Sequence, residues 1–199
     1  MNILLTGGSS SLIDSMILKL RKEGHRVFIL TGDKYKHNKY EKVFEKYEFP
    51  YDSENLNEIL ESVNPDVTIL MGAFDTNYYW NGEERENVRF VSHLVNILVA
   101  HSRFKKTKLI FLSSDEVYSG NYAHDIEEDE KFSGSGLKAE CLSQAEEMCR
   151  NFSENRGMDL IVLRLDHFYG IPKGKKDLNH IVDRMCLECL RDGYIKAGT

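Results

Sequence analysis

Short runs of Ile, Leu, Val and Phe alternate along this chain with longer stretches in which hydrophobic residues recur at helical spacing. The short runs are almost continuously hydrophobic, which is typical of strands that a parallel sheet buries on both faces. The helical stretches between them predict βαβ units with right-handed crossovers. We therefore predict an α/β fold in which a doubly wound parallel sheet carries helices on both faces.

The element bounds follow from these runs. Predicted strands cover residues 2–5, 26–30, 49–51, 66–71, 108–112 and 159–164. Predicted helices cover residues 11–23, part of 34–47, 54–63, 83–101, 136–154 and 178–190. A short element of unassigned type follows at residues 194–197. The acidic stretch 120–132 is predicted to be a loop, and no linker or internal repeat interrupts the pattern.

Composition limits the function classes. The 199 residues are 41% hydrophobic and 29% charged, which suits one substantial core and excludes a disordered or fibrous chain. With 26 basic and 32 acidic residues the net charge is −6, so we expect no nucleic-acid partner. No apolar run approaches the roughly 20 residues of a spanning helix, and the glycine-rich start does not resemble a signal peptide. We therefore expect no membrane association and a cytoplasmic location.

Four cysteines occur, at Cys141, Cys149, Cys186 and Cys189. In the cytoplasm they are expected to be free thiols. Cys186 and Cys189 form a CxxC, but a zinc site needs further ligands, and the sequence has no second CxxC or HxxxH. We predict no metal site and expect both cysteines to be buried core residues on an apolar helix over residues 181–190.

The first strand runs directly into Thr6-Gly7-Gly8-Ser9-Ser10-Ser11, after which a helix is predicted. A strand, a glycine-rich turn and a helix together present free N–H groups and a positive helix end to a pyrophosphate. An ordinary βα turn with a serine cap would have the same residues. This loop alone leaves both interpretations open.

The loop resembles the TGxxGxxG loop of the extended short-chain dehydrogenase/reductase family, which contains sugar-nucleotide epimerases and dehydratases. Gly7 matches the first glycine, whereas Ser10 and Ile13 stand where the second and third glycines would be. The resemblance implies a Rossmann-like domain over residues 1–170, with NAD or NADP as cofactor. Residues 171–199 would begin a rudimentary substrate lobe.

The resemblance extends along the chain and implies further cofactor contacts. It assigns them to Gly7, Gly8, Ser10, Ser11, Leu12, Asp33, Asp52, Gly72, Ala73 and Lys138. Asp33 would meet the adenosine ribose, and Lys34 or Lys36 a 2′-phosphate, so the choice between NAD and NADP stays open. Asp33 in a solvated turn and Asp52 as a helix N-cap are the structural alternatives.

A strand that ends in Ser113-Ser114-Asp115-Glu116 resembles the fifth-strand motif of the family, and the Asp-Glu pair resembles that of the 4,6-dehydratases. Candidate catalytic residues are therefore Ser114, Asp115 and Glu116, because a hydroxyl beside two carboxylates can support proton transfer. The alternative is an Asp-Glu helix cap. Further on, Arg164, Tyr169 and Gly170 match the end of the sixth strand, and His167 is a candidate base or a structural histidine.

The family works through a Tyr-x-x-x-Lys pair, in which the lysine holds the nicotinamide ribose and the tyrosine moves a proton. Lys138 matches the lysine, but the tyrosine position is Gly134, which has no proton to give. Two hypotheses follow. The chain is an NAD(P)-dependent enzyme of nucleotide sugars, or it is a non-catalytic cofactor-sensing or assembly protein that keeps the fold. Helices near 83–101 and 136–154 would pair two copies in a homodimer.

Overall fold

The computed structural model describes residues 1–7, 11–31, 46–48, 53–75, 78, 80, 84–104, 106–118, 125–166, 168 and 181–194. Within them, six strands are β1 (Asn2–Thr6), β2 (Arg26–Thr31), β3 (Lys46–Glu48), β4 (Val67–Leu70), β5 (Lys108–Ser114) and β6 (Leu160–Leu165). The helices are α1 (Ser11–Lys22), α2 (Ser53–Val63), α3 (Glu84–His101), α4 (Leu137–Arg156) and α5 (Ile181–Asp192). Two 3₁₀ turns, Gly72–Phe74 and Asp115–Tyr118, directly follow β4 and β5.

All six strands pair in parallel, in the order β3-β2-β1-β4-β5-β6. The order changes direction between β1 and β4, and open α/β sheets bind their ligands outside the carboxyl ends of the strands at such a point. The predicted doubly wound α/β fold is confirmed. The carboxyl edge beside β1, β4 and β5 is therefore where a functional site is expected.

Two hydrophobic cores lie on opposite faces of the sheet. Along β1, Leu4 belongs to one core, whereas Ile3 and Leu5 belong to the other. The first core contains residues of α2, α3 and α4, and the second contains residues of α1. This alternation accounts for the nearly continuous hydrophobic runs, because successive side chains of a strand point to opposite faces.

Some predicted bounds need correction. The third strand was predicted at residues 49–51, which lie outside the described residues, and the observed strand β3 precedes them at Lys46–Glu48. β3 takes two residues from the stretch 34–47, in which a helix was predicted. Its pairing with β2 is a backbone ladder from Ile29↔Lys46 to Thr31↔Glu48, and a polar edge strand of this kind carries little hydrophobic signal.

The chain divides into two compact units, residues 1–165 and 166–199. The first contains the whole sheet and the second contains α5. The expectation that Cys186 and Cys189 are core residues is wrong, because both are exposed on α5, whereas Cys141 and Cys149 are buried. All four are free thiols. The predicted role of the second unit as the start of a substrate lobe stays a prediction.

Neither a spanning helix nor a metal centre is found in the described part of the chain. There, no helix combines the length and hydropathy needed to cross a membrane. In the same residues, His, Cys, Asp and Glu form no group of three or more placed to hold a metal ion.

Candidate functional site

Gly7 ends β1 at the carboxyl edge and turns the chain toward α1. Its φ of +124° is a conformation that glycine adopts readily and residues with a side chain rarely adopt. Its N–H donates to the carbonyl of Leu30 at 3.0 Å. A Cβ here would lie 2.9 Å from Cγ of Met71 and 3.3 Å from Cδ1 of Ile13. Gly7 is therefore required both by the backbone conformation and by the close approach of β4 and α1.

Ile13, which replaces the third glycine, is accommodated in the helix–sheet interface. Only 1% of its surface is exposed, and it packs in the core that also holds Ile17 and Met71. The β-branched side chain fills the space that a glycine would leave between α1 and the sheet. The first turn of α1 also carries an acid, Asp14, which adds negative charge at the positive end of the helix.

Gly72 and Ala73 form the turn after β4, but their close contacts are with the protein. A Cβ at Gly72 would overlap the carbonyl oxygen of Leu112 and lie 2.7 Å from Cε2 of Phe111. Ala73 is 7% exposed and belongs to the first core. Small residues are needed here because the turn packs against β5. The predicted contact of these two residues with a cofactor stays a prediction.

Ser114, Asp115, Glu116 and Lys138 are brought together at the end of β5. The Ser114 hydroxyl donates to Oδ1 of Asp115 at 2.9 Å and accepts from the N–H of Glu116 at 3.2 Å. Lys138, in the first turn of α4, donates from Nζ to Oε1 of Glu116 at 2.5 Å. The ammonium group also lies 5.6 Å from the ring centroid of Trp80. The predicted catalytic residues of this motif thus form one hydrogen-bonded cluster.

Residues 133–134, which precede α4, are hydrogen-bonded to the turn after β5. Val117 O accepts from the N–H groups of Ser133 at 3.0 Å and Gly134 at 2.9 Å, and the Ser133 hydroxyl donates to Tyr118 O at 3.2 Å. A Cβ on Gly134 would overlap the carbonyl oxygen of Glu116 and lie 2.7 Å from Cβ of Ala139. The tyrosine position of the family is therefore closed by backbone contacts, and the described arrangement has no room for a side chain there.

A buried ion pair supports the same edge from β6. Arg164 donates from Nε and Nη2 to both carboxylate oxygens of Glu146, which is only 2% exposed. Its Nη1 donates to Glu128 O at 2.7 Å, an oxygen that also accepts from Tyr118 Oη at 3.2 Å. Burial raises the pKa of Glu146. Arg164 thereby holds the acidic segment around Glu128 against the turn that carries Glu116.

An aromatic cluster lies at the end of β4. Tyr78 packs edge-on against Phe90 at 5.4 Å and shares a hydrogen bond of 2.8 Å with Nδ1 of His93. Burial, followed by the charge of Asp75, raises the pKa of Tyr78, and burial lowers the pKa of His93 to about 4. Tyr78 is thus a weaker acid than a free tyrosine.

Several predicted site residues lie outside the described residues: Gly8, Ser10, Asp33, Asp52 and His167. For Ser11 only the backbone is described, as the first residue of α1, and Leu12 packs against the second core. The sequence reasoning missed Trp80, Tyr78 and the Glu146–Arg164 pair. An Arg at the end of a predicted strand and a Glu within a predicted helix were the available signals for that pair.

The fold and this edge define a class: a parallel, doubly wound sheet with a glycine turn into its first helix and an acidic motif after β5. Such an arrangement is typical of dinucleotide-binding domains. The model of the NAD dependent epimerase/dehydratase family matches residues 3–196, so the chain belongs to that family. A comparison with curated proteins gives no match.

Solved structures show the same fold. UDP-glucose 4-epimerase of Thermotoga maritima, solved with UDP-glucose, is 22% identical with a TM-score of 0.76, over 96% of this chain and 63% of that chain. dTDP-glucose 4,6-dehydratase of Bacillus anthracis, solved with NAD, is 16% identical with a TM-score of 0.74, over 96% and 62%. UDP-glucuronic acid 4-epimerase of Bacillus cereus, also with NAD, is 19% identical with a TM-score of 0.73, over 96% and 63%. The chain thus spans less than two thirds of these structures.

Proposed function

We propose that this chain binds NAD or NADP and a nucleotide sugar at the carboxyl edge of the sheet. The observation that carries the cofactor part is Gly7, held at positive φ against Met71 where β1 turns into α1. This is the place at which a helix N-terminus meets a pyrophosphate in dinucleotide-binding sheets. Leu12, which we also assign to the cofactor, lies in the first turn of α1.

Proton transfer in this proposal falls to Glu116 rather than to a tyrosine. The contacts around Gly134 leave no room for a phenol, whereas Glu116 is half-buried and hydrogen-bonded to Lys138. A carboxylate that a lysine orients can accept or return a proton of a sugar hydroxyl. Bound NAD would supply the hydride acceptor. Ser114 would orient Asp115 and the backbone of Glu116.

A non-catalytic role is the second candidate function. One observation favours it: the Lys138 ammonium is already paired with Glu116 and lies against Trp80. If that pair persists when cofactor binds, the lysine cannot hold a ribose, and the chain would sense a cofactor without transforming a sugar. Turnover distinguishes this candidate from the first.

Cofactor binding can be read from the protein's own fluorescence. Trp80 is the sole tryptophan of the sequence and lies beside Lys138. Exciting Trp80 while titrating NADH, and separately NADPH, should give nicotinamide emission by energy transfer, and the two curves give the cofactor preference. Trp80→Phe should lose this signal while calorimetry still shows binding. Absence of binding up to millimolar cofactor would reject the proposal.

Turnover is tested with UDP-glucose and NAD or NADP, by following the sugar products chromatographically. Glu116→Gln should abolish conversion while the variant still binds cofactor. Glu147→Gln is the matched control, because Glu147 lies on the same helix as Lys138 but forms an exposed pair with Arg150. Cofactor binding without conversion in the unmodified chain would favour the non-catalytic role.

The homodimer through α3 and α4 is a further part of the proposal. Its support is that Val88, on α3, is a large hydrophobic residue with 60% of its surface exposed. Sedimentation of the chain should show a dimer that Val88→Asp weakens, because the charge would face the second copy. A monomer at all concentrations would reject this arrangement.

A further inference from the structure

The apolar side of α5 is exposed. Five residues at helical spacing form one stripe along this helix: Val182, Met185, Cys186, Cys189 and Leu190. Val182 and Met185 are each 38% exposed, Leu190 is 80% exposed, and both cysteines are exposed. An apolar stripe of this width usually faces a core or a partner. Among the described residues it stays exposed, which makes it a candidate docking surface.

The charges on α5 favour a partner that also carries both signs. Outside the stripe the helix has two arginines and three acids: Arg184, Arg191, Asp183, Glu188 and Asp192. Arg191 is paired with Asp192 at 2.8 Å. A helix that lies on an anionic membrane has an excess of Lys and Arg on its polar side, and α5 has none. Opposite charges that lie one turn apart instead suit a reversed copy of the same helix.

An antiparallel second copy of α5 brings these opposite charges together. A two-fold axis through Cys186 places Arg184 level with Glu188 of the second copy, since each lies two residues from the axis. Arg184 and Glu188 lie one turn apart on the same flank of α5, and the axis brings that flank of both copies together. The axis also places Val182 level with Leu190 of the second copy, so the two stripes face each other. In a parallel pair, each charge would meet its own equivalent.

We propose that α5 is a self-association surface that binds α5 of a second copy of this chain in antiparallel orientation. The contact is separate from the homodimer proposed through α3 and α4, and it does not depend on the proposed function. α5 has 12 residues and is therefore about 18 Å long. A single helix pair of this length belongs to the small interfaces, below roughly 1,200 Å², at which association is weak and transient.

The first experiment is sedimentation of the full chain over a wide concentration range. It uses a Val88→Asp background, which weakens the contact proposed through α3 and α4. Leu190→Asp should weaken the remaining association at least about tenfold, because each copy loses the burial of one leucine. Leu187→Asp is the matched control. Leu187 is 36% exposed and lies on the opposite side of α5, so the same substitution there should leave the association unchanged.

Charge reversal tests whether the occupant is a second copy. Arg184→Glu should weaken the association several-fold, because it places carboxylates on both sides of the contact. Adding Glu188→Arg to that variant should restore the association. This rescue requires that both helices carry the exchanged charges, as they do only when the partner is another copy of the same chain.

Disulfide formation with diamide as the oxidant tests the orientation. A disulfide requires Cα atoms within about 7 Å of each other. In the antiparallel pair the two Cys186 residues lie on the axis, whereas the two Cys189 residues are about 9 Å apart along it. The Cys189→Ala variant, which keeps Cys186, should therefore cross-link much faster than the Cys186→Ala variant. Cys141 and Cys149 are buried and should contribute little.

A chain that stays monomeric at all concentrations would overturn the proposal, as would equal effects of Leu190→Asp and Leu187→Asp. Equal cross-linking through Cys186 and Cys189 would also overturn it, because a parallel pair places both cysteines level. A monomer that binds vesicles of phosphatidylcholine and phosphatidylserine, and loses that binding in Leu190→Asp, would replace it with a membrane surface. If circular dichroism shows that Leu190→Asp does not fold, the cross-linking comparison, which keeps Leu190, decides.

Discussion

Replacing Gly134 with alanine adds one methyl group at the tyrosine position of the family, and so tests directly whether that position has room for a side chain. Its φ lies outside the left-handed region, so alanine meets no backbone strain there and the cost of Gly134→Ala comes from contacts. The new Cβ would overlap the carbonyl oxygen of Glu116 and lie 2.7 Å from Cβ of Ala139 and 3.1 Å from Val117 O. Two of these three neighbours are backbone atoms, which cannot move aside as a flexible side chain would.

The magnitude follows from overpacking and from the hydrogen bonds at risk. Overpacking a well-packed site costs about 1–3 kcal/mol. If residues 133–134 moved away from the turn after β5, the hydrogen bonds from Ser133 and Gly134 to Val117 O would also be strained. Each such bond contributes about 1 kcal/mol to stability. We therefore expect Gly134→Ala to lower the free energy of unfolding by about 2–4 kcal/mol. At about 2–4 °C per kcal/mol for a chain of this size, Tm should fall by roughly 4–16 °C.

The assay is urea unfolding followed by circular dichroism, with Ser135→Ala as control. Ser135 is exposed, so its truncation should change stability by no more than about 0.5 kcal/mol. Gly134→Tyr should be at least as destabilised as Gly134→Ala and should gain no sugar turnover. A stable Gly134→Ala variant, or a Gly134→Tyr variant with new activity, would refute the reasoning that the site is closed.

Three further predictions concern the ion pair, two histidines and the first turn of α1. Arg164→Met should lower the free energy of unfolding by about 3–5 kcal/mol, because it leaves the buried Glu146 carboxylate without its partner. The double variant Arg164→Met, Glu146→Leu should recover most of that loss. A single variant as stable as the unmodified chain would contradict this prediction. Burial lowers the pKa of His101 and of His93 to about 4 in the folded chain, below the ordinary value of 6.5. The folded state therefore favours the neutral histidines. The stability that they contribute is fully present above pH 6.5 and is lost as the pH falls toward 4. His101→Gln should flatten that loss in urea unfolding at several pH values, and an unchanged profile would argue against it. Asp14→Asn should tighten NADH binding about two- to fivefold by removing a like charge near the pyrophosphate, and weaker binding would contradict the assigned location.

Most of the fold could be predicted from the sequence, because strands that are buried on both faces appear as nearly continuous hydrophobic runs. β1 and β5 are hydrophobic on both faces, and Ile3, Leu4 and Leu5 of β1 divide between the two cores. β3 was misplaced for the opposite reason. Lys46-Tyr47-Glu48 is a short polar strand that the backbone ladder with β2 defines, and backbone pairing leaves no hydrophobic pattern to find.

The site was only partly predictable because its geometry depends on distant contacts. Ser114, Asp115 and Glu116 are adjacent in sequence, and their clustering at a strand end followed from the motif. The pairing of Glu116 with Lys138, 22 residues away, and the contact between Lys138 and Trp80 did not. The sequence shows that Gly134 stands at the tyrosine position of the family, but only the structure shows that the carbonyl of Glu116 closes that position.

The most direct measurement of the central claim is a crystal structure of this chain grown with NAD. We predict that the dinucleotide lies across the carboxyl ends of β1 and β4, with its pyrophosphate at the start of α1 and its nicotinamide toward Lys138 and Trp80. Gly134 should stay packed against the Glu116 carbonyl. A dinucleotide bound elsewhere, no binding at saturating NAD, or an opened segment that makes room for a side chain at Gly134 would contradict the account.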